Sequence, residues 1–210
     1  MLRLISGRAG TGKTALLFSE IAARCARRQS GSFLIVPEQY SHEAERELAQ
    51  RCGDTASLYA EVLSFSRLAH RVAIGCGGSA RVYIDKPGRF LQLSLALEQV
   101  GGALSVYGGS ARSPERMVQL LSALDELRFG CATPDALRKA AESATPSLAG
   151  KLRDLALLQE ALDALSAQSG ADPAGRLDVL AEQLPGCAWL RSAKFYIDGF
   201  TDFTAQERRV

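Results

Sequence analysis

The sequence predicts an α/β protein whose parallel β-sheet is interrupted by a largely helical insert. Three observations lead to this prediction. A glycine-rich loop at Gly7–Thr14 lies between a short apolar run and a helical pattern. A stretch of about a hundred residues from Asp85 to Leu184 then carries helical signals almost throughout. After it, Lys194–Gly199 returns to an apolar run ending in an aspartate and a glycine, which is typical of a parallel strand.

The composition is that of an ordinary globular protein. The chain has 210 residues, of which 47% are hydrophobic and 23% charged, and this excludes wholesale disorder. A net charge of +2 neither favours nor excludes nucleic acid as a partner. No run approaches the roughly 20 apolar residues of a membrane span, and no signal-peptide core is present. We therefore expect a cytoplasmic protein with no membrane partner.

The cysteines predict neither a metal site nor a disulfide framework. They are odd in number and scattered, no Cys-x-x-Cys pair occurs, and neither histidine lies near one. We interpret all five as buried or incidental thiols: Cys25, Cys52, Cys76, Cys131 and Cys187.

The first third of the chain alternates between strand and helix patterns. Leu2–Ser6 is a short apolar run before a glycine and predicts a buried strand, so that a βαβ unit begins at the first residue. The helix, strand and loop predictions that follow, in order, are a helix from about Lys13 to Arg28, a strand at Phe33–Val36, a helix over Tyr40–Cys52, a third short strand within Leu58–Phe65, a helix over Arg67–Ile74, and a loop at Gly75, Gly77, Gly78 and Ser79.

Helix start signals recur in the insert. Ser113 followed by Pro114, and Thr133 followed by Pro134, each place a capping residue before a proline at the first helical position. A leucine stripe then recurs every three or four residues and predicts a helix packing face rather than a cofactor site: Leu148, Leu152, Leu155, Leu158, Leu162 and Leu165. Thr204–Val210 predicts the opening of a further helix, so the predicted sheet is incomplete and the chain a fragment.

The glycine-rich loop matches the phosphate-binding pattern G-x-x-x-x-G-K-[ST] at every fixed position. Its backbone N–H groups and the following helix N-terminus suit phosphate oxygens, so the sequence predicts a P-loop. Lys13 is expected to reach the β- and γ-phosphates of ATP, and the Thr14 hydroxyl to bind Mg²⁺. The predicted nucleotide-binding residues are Gly7, Arg8, Ala9, Gly10, Thr11, Gly12, Lys13 and Thr14.

A second metal-binding residue is predicted at Asp198, after the last apolar run. In a sheet that carries a phosphate-binding loop, such a strand-end aspartate helps to hold Mg²⁺. Many hydrolytic P-loop enzymes have a glutamate at the next position to orient the attacking water, whereas this chain has Gly199. We therefore assign no catalytic residue and expect little or no ATP hydrolysis.

Four segments together suggest a family. Gly7–Thr14, Ile35–Gln39, Glu61–Ala69 and Ile197–Phe200 occur in this order. They resemble the N-terminal part of the AddB family, the B subunits of bacterial AddAB helicase–nucleases. That family is similar to superfamily 1 helicases of the UvrD type. The resemblance covers essentially the whole chain, although the helical insert adds little to it.

The resemblance implies a RecA-like P-loop NTPase sheet and a division into domains. Residues 1–78 and 191–210 are expected to belong to motor domain 1A, and residues 79–190 to the helical domain 1B. The segments Pro37–Ser41 and Ser64–Arg67 would match motifs that lie along single-stranded DNA. Ile197–Asp202 would align with the helicase pattern Asp-Glu-x-x-Asp, with glycine in place of the glutamate.

The family also implies partners, cofactors and a role. The expected partner is an AddA-like helicase–nuclease subunit that drives translocation in a heterodimer on single- and double-stranded DNA. The expected role is ATP-dependent helicase–exonuclease action in double-strand break repair by homologous recombination, without motor activity in the AddB-like chain itself. ATP and Mg²⁺ are the expected cofactors here, and an iron–sulfur cluster is expected only in a C-terminal nuclease region outside this chain.

Two alternatives remain open at the level of sequence. A small P-loop kinase of a nucleoside or metabolite would fit the length, although no arginine-rich lid motif follows the insert. A non-enzymatic scaffold in which nucleotide only stabilises the fold would fit Gly199.

Arg67 and Arg71, near the expected DNA path, are either phosphate contacts or solvated helix-face charges. Glu38 and Gln39 are either part of that path or caps of the following helix.

Overall fold

Strands from the first third of the chain and from its last twenty residues form a three-stranded parallel sheet. The structure, a computed structural model, describes residues 2–53, 55–76, 82–108 and 113–210. Its strands are β1 (Ser32–Ile35), β2 (Ala60–Leu63) and β3 (Lys194–Ile197), in the spatial order β2-β1-β3. The central strand β1 is buried along its whole length, whereas β3 is mostly exposed. The prediction of a parallel sheet that resumes after a helical stretch is confirmed.

By their contacts, the residues divide into two units. The first, which we call the sheet unit, comprises Met1–Gly78 and Leu180–Phe203. The second, the helical unit, comprises Ser79–Val179 and Thr204–Val210. The overall class is therefore mixed α/β and mostly helical. None of the helices in the described ranges has both the length and the apolar character that a membrane crossing requires.

Helices α1 and α2 cover one face of the sheet. Their apolar side chains, among them Phe18, Ile21 and Leu48, pack with Leu34, Val62 and Tyr196 of the strands into one core. On the other face Phe33 stacks on Phe195, with ring centroids 5.5 Å apart. The helices of this unit are α1 (Lys13–Ala26), α2 (Ser41–Cys52), the short α3 (Ala56–Tyr59) and α4 (Phe65–Gly75), with 3-10 turns at Glu38–Tyr40, Leu184–Gly186 and Ala188–Ser192.

The helical unit has its own core of leucine and alanine. It contains α5 (Lys86–Val100), α6 (Pro114–Phe129), α7 (Pro134–Glu142), α8 (Pro146–Ser169) and α10 (Ala205–Arg209), with 3-10 turns at Gly101–Ala103 and Pro173–Gly175. Helix α9 (Arg176–Gln183) contains the boundary between the units. The leucine stripe is confirmed as a packing face of α8: Leu155, Leu158 and Leu162 are buried, whereas Leu148 is exposed.

Cap residues of the helical unit act as the sequence predicts. The Ser113 hydroxyl accepts a hydrogen bond from the Arg116 N–H, and the Thr133 hydroxyl accepts one from the Ala136 N–H. At the last helix, Thr204 and Glu207 form a reciprocal capping box. These start signals are satisfied within a few residues of chain, so their local sequence is sufficient to identify them.

Two predictions in the sheet unit are wrong. Leu2–Ser6 is not a strand: Leu2 is 93% and Leu4 88% exposed, and in the described part of the chain no strand pairs with this segment. An apolar run becomes a strand only when a neighbour accepts and donates its backbone hydrogen bonds. The βαβ unit therefore starts at β1, not at the first residue. Of the predicted loop, Gly75 is the last residue of α4, and Gly77, Gly78 and Ser79 lie outside the described residues.

The prediction about cysteines is also wrong, because Cys76 and Cys187 form a disulfide with Cα atoms 5.6 Å apart. They lie 111 positions apart in sequence. Spacing along the chain did not reveal this pair, since it is the fold that brings the end of α4 next to the segment before β3. Cys25, Cys52 and Cys131 are free.

Candidate functional site

Within the glycine-rich loop, Gly12 immediately precedes α1 and has a left-handed conformation with φ +82°. Glycine adopts this conformation without the steric cost that a Cβ brings. Because Gly12 has no side chain, it cannot cap the first N–H groups of α1. These groups and the helix dipole give the end of the loop a partial positive charge that suits an anion.

The loop closes on itself through Thr11. Its hydroxyl donates a hydrogen bond to the Arg8 carbonyl over 2.8 Å. A Cβ at Gly7 would lie 2.7 Å from the Thr11 Oγ1 atom, closer than Cβ atoms approach other atoms. A side chain at position 7 would therefore displace the Thr11 hydroxyl from its hydrogen bond to Arg8.

Lys13 bends back over the same loop. Its Nζ atom donates hydrogen bonds to the carbonyl oxygens of Gly7 and Arg8, both over 2.8 Å. The ammonium group is thus held on the loop rather than extended into solvent. A phosphate group bound by the loop would lie within the field of this charge.

A cavity of about 670 Å³ opens beside the loop. Gly10, Thr11, Gly12, Lys13 and Thr14 line it, and so does Asp198 from the other end of the chain. The structure thus brings six of the predicted residues to one cavity. Of the remaining three, Gly7 and Arg8 contribute through the carbonyl groups that hold Lys13, and Ala9 does not line the cavity.

Asp198 is positioned by the end of β3. Its backbone N–H donates to the Ile35 carbonyl over 3.0 Å, which continues the ladder between β1 and β3 for one more residue. The next residue, Gly199, has φ +80°, and a Cβ built on it would lie 3.3 Å from Cδ of Pro37. A glutamate at position 199 would therefore be strained by its backbone conformation and crowded by the proline ring.

One wall of the cavity comes from α2 and the turn before it, and this the sequence prediction missed. Tyr40, Glu43, Glu47 and Arg51 all line the cavity, and Arg51 also pairs with Glu47 over 2.5 Å. These positions recur at helical spacing, which is the signal that could have shown them to share a face. The remaining lining residues are Ala15, Phe18, Leu34, Val36, Ala44 and Gly199.

The donor set of the cavity fits Mg²⁺ in company with a polyphosphate. The Thr14 hydroxyl and the Asp198 carboxylate are hard oxygen donors. Within the described ranges no group of three or more His, Cys, Asp or Glu side chains could hold a metal ion. Mg²⁺ usually takes one or two carboxylates and completes its shell with waters and phosphate oxygens, so these few donors suffice.

The segments expected along DNA lie at the same edge of the sheet as the cavity. Pro37–Ser41 follows β1 and Ser64–Arg67 follows β2, and the two strands are parallel. The Ser64 hydroxyl caps α4 by accepting from the Arg67 N–H. Arg67 forms an ion pair with Glu45 over 2.5 Å, and Arg71 pairs with Glu61 over 3.4 Å. Both arginine side chains are close to half exposed, so these pairs leave them accessible.

Comparison with known proteins gives one consistent family. A family model described as "ADDB, N-terminal" matches residues 4–210. Similar relatives are named as the B subunits of ATP-dependent helicase/deoxyribonucleases; they include those of Desulforamulus reducens, at 38% identity, Moorella thermoacetica, at 36%, and Heliobacterium modesticaldum, at 39%. Each alignment covers 100% of this chain and 18–19% of the relative. The chain therefore spans about a fifth of the length of these curated relatives, and it belongs to the AddB N-terminal family.

Proposed function

We propose that this chain is the nucleotide-binding, helicase-like N-terminal region of the B subunit of a bacterial ATP-dependent helicase–deoxyribonuclease. The observation that carries the proposal is the cavity lined by the phosphate-binding loop, Asp198 and Gly199. Its relatives are named as subunits of an ATP-dependent helicase/deoxyribonuclease, which supports the same role.

The site binds ATP through the loop and α1. In the proposal, residues 7–14 hold the phosphates by backbone N–H groups, and Lys13 exchanges its bonds to the Gly7 and Arg8 carbonyls for bonds to phosphate oxygens. Thr14 and Asp198 hold the Mg²⁺ that accompanies the nucleotide. The metal supplies charge neutralisation at the phosphates.

Binding without efficient hydrolysis follows from Gly199. A residue at this position with a carboxylate would orient a water molecule for attack on the terminal phosphate, and glycine has no group to do so. Because Gly199 has φ +80° beside Pro37, the backbone itself selects against such a residue. The nucleotide then stabilises the site, and translocation is driven by an AddA-like partner.

The fold is proposed to be a RecA-like P-loop NTPase sheet, with residues 1–78 and 191–210 in domain 1A and residues 79–190 in domain 1B. Its support is the parallel order β2-β1-β3 with the phosphate-binding loop at the carboxyl edge of the strands. Phe195 and Ile197 of β3 are exposed on one face. Further strands of a longer protein would cover them.

DNA is proposed to run over the same edge of the sheet, along Pro37–Ser41 and Ser64–Arg67. A partly exposed aromatic cluster lies there: Phe200 and Phe203 stack with centroids 4.8 Å apart, and Phe65 meets Phe200 at 5.5 Å. Aromatic rings and nearby arginines are the usual partners of single-stranded DNA. We infer that the complete protein acts in the cytoplasm, on single- and double-stranded DNA, in double-strand break repair by homologous recombination.

Titration calorimetry with Mg²⁺ and a non-hydrolysable ATP analogue tests the nucleotide site. Lys13→Ala should weaken binding by about 10- to 100-fold, because it removes charge-assisted hydrogen bonds to phosphate. Lys139→Ala provides the matched control, since Lys139 is an exposed lysine of α7 in the helical unit. It should leave the affinity unchanged.

Steady-state ATPase measurements on the same proteins separate binding from turnover. We expect analogue binding by the wild-type chain together with little or no phosphate release. Equal affinity of wild type and Lys13→Ala would contradict the nucleotide site. Robust hydrolysis that Lys13→Ala abolishes would leave the site intact but contradict the role given to Gly199.

A further inference from the structure

The disulfide between Cys76 and Cys187 lies in the sheet unit, away from the lining of the nucleotide cavity. Cys76 follows the last residue of α4 and is exposed, whereas Cys187 is only 2% exposed, between two 3-10 turns before β3. Their Cα atoms are 5.6 Å apart, the separation most common for disulfides. The pair therefore joins an exposed residue to a buried one.

Contacts that do not involve sulfur hold these two segments together. The Trp189 ring lies directly on Gly75: a Cβ at Gly75 would be 2.6 Å from the indole Nε1 atom. The Arg71 guanidinium lies over the same ring, 5.2 Å from its centroid, and Phe33 contacts it at 5.4 Å. The two cysteines are thus placed next to each other by packing, whether or not the bond between them is formed.

The chain between the two cysteines contains most of the helical unit. The two residues are 111 positions apart, and the stretch between them includes the whole of Ser79–Val179, the main part of the helical unit. A bond between Cys76 and Cys187 therefore ties together, within the sheet unit, the chain that leaves for the helical unit and the chain that returns from it. Closing so long a loop restricts the unfolded chain strongly.

We propose that Cys76 and Cys187, 111 positions apart, are a reversible redox pair that closes this loop on oxidation and releases it on reduction. The oxidant is a small-molecule disulfide. The Cys76 thiolate attacks one sulfur of the oxidant and forms a mixed disulfide, and one small thiol leaves. The Cys187 thiolate then attacks the Cys76 sulfur and releases the second thiol. Two protein thiols are oxidised, one disulfide is reduced to two thiols, and the two protons pass to the released thiolates.

Cys25 and Cys52 are also neighbours, but their environment makes their thiols less reactive than that of Cys76. Burial, together with a hydrogen bond to the neighbouring Cys25, raises the pKa of the Cys52 thiol to about 11. Cys52 is therefore protonated at neutral pH, and its partner Cys25 is buried in the core beside α1. Thiol–disulfide exchange needs a cysteine that ionises and that the oxidant can reach. Cys76, at the exposed end of α4, meets the condition of access.

Differential alkylation with mass spectrometry tests the proposal on the full chain. The protein is reduced, then equilibrated with mixtures of reduced and oxidised glutathione, and free thiols are trapped. We expect a linked Cys76–Cys187 peptide that appears as the oxidised fraction rises and disappears on return to reductant, while Cys52 and Cys131 remain alkylated. The sole tryptophan, Trp189, reports the same change as a loss of fluorescence on oxidation.

Three variants test whether Cys76 and the packing around it are needed for the proposed disulfide. Cys76→Ser, at an exposed position, should abolish the linked peptide and the fluorescence change, whereas Cys131→Ser should alter neither. Gly75→Ala should slow formation of the bond, because the added methyl group displaces Trp189. Oxidation should raise the melting temperature of the wild type by about 5–10 °C. Separate mixed disulfides at Cys76 and Cys187, or a linked peptide that reductant does not remove, would overturn the proposal.

Discussion

The sheet unit and the helical unit use their polar side chains in different ways. In the sheet unit, the polar residues Lys13, Thr14, Glu43 and Asp198 line an open cavity. In the helical unit, Asp154 of α8 is 1% exposed, and its carboxylate accepts hydrogen bonds from the backbone N–H groups of three successive residues, Ser105–Tyr107, and from the Ser105 hydroxyl.

Other polar groups of the helical unit follow the same pattern. Arg89 bridges Asp125 and Asp172, and these carboxylates raise the pKa of its guanidinium against the opposing effect of burial. Gln92 donates to the Ser169 hydroxyl over 3.0 Å. The difference teaches that the helical unit uses buried polar groups to fix its own loops and helices. In the sheet unit, by contrast, the four polar side chains named above line a cavity that a ligand can reach.

Asp154→Ala should have the largest effect on stability. It leaves three backbone N–H groups without an acceptor that is itself almost fully buried, and it should lower the free energy of unfolding by about 2–4 kcal/mol. Chemical denaturation measures this change. The control is Asp163→Ala, on the same helix but half exposed and paired with Arg128, which should cost less than about 1 kcal/mol. Equal losses of unfolding free energy in the two variants would show that the buried carboxylate contributes no more to stability than the exposed one.

The same carboxylate should make stability depend on pH. Burial alone would raise the pKa of Asp154, but the hydrogen bonds from Ser105, Tyr107 and Val106 outweigh it and hold the pKa below its ordinary value of 3.8. A lowered pKa in the folded state contributes stability above 3.8, and this stability is lost as pH falls through the folded value. In denaturation curves recorded between pH 7 and pH 3, the difference in free energy of unfolding between wild type and Asp154→Asn should therefore be largest above pH 3.8 and shrink as the pH falls below it. A difference that does not change with pH would contradict this role.

Gly199→Ala tests the sheet unit and should have an intermediate effect. The left-handed φ and the nearby Pro37 ring should make the substitution cost about 1–2 kcal/mol. Gly186→Ala is the matched control, because a Cβ there meets no atom within 4 Å and its φ is not left-handed. Thermal denaturation distinguishes them. A Gly199→Ala protein as stable as Gly186→Ala would show that the backbone at 199 accepts a side chain.

Thr133→Ala should have the smallest effect of the series. The Thr133 hydroxyl accepts from the Ala136 N–H over 3.2 Å, and loss of such a cap typically costs about 1 kcal/mol. Thr145 also precedes a helix-starting proline but makes no side-chain cap bond, so Thr145→Ala should cost less. Comparison of the two denaturation midpoints checks the difference, and a reversed order would contradict the importance of the cap bond.

The helices of the helical unit could be predicted because their hydrogen bonds lie within the segment. Pro114, Pro134 and the capping residues before them mark helix starts by local chemistry. The leucine stripe of α8 likewise needs only its own spacing. What the sequence could not indicate is that Asp154, in the middle of this helix, accepts hydrogen bonds from a loop nearly 50 residues earlier.

The sheet unit was harder to predict because its elements depend on distant partners. The apolar run Leu2–Ser6 has the composition of a strand but, in the ranges the structure describes, no paired neighbour. Cys76 and Cys187 meet only because α4 and the chain before β3 pack together through Trp189. The glycine-rich loop could be identified from sequence because its pattern is contiguous, whereas the wall from α2 follows from how α1 and α2 pack.

The parallel register that aligns Ile35 with Ile197 couples two residues that lie beyond the ends of the strands. It brings Pro37, after β1, against Gly199, after β3. Each residue constrains the other: the proline ring occupies the space that a side chain at 199 would need, and the turn at 199 requires glycine. A single substitution to glutamate would meet both obstacles at once. The cost of a side chain at 199 therefore depends on Pro37 as well as on the local backbone, so substitutions at positions 37 and 199 should not have additive effects on stability.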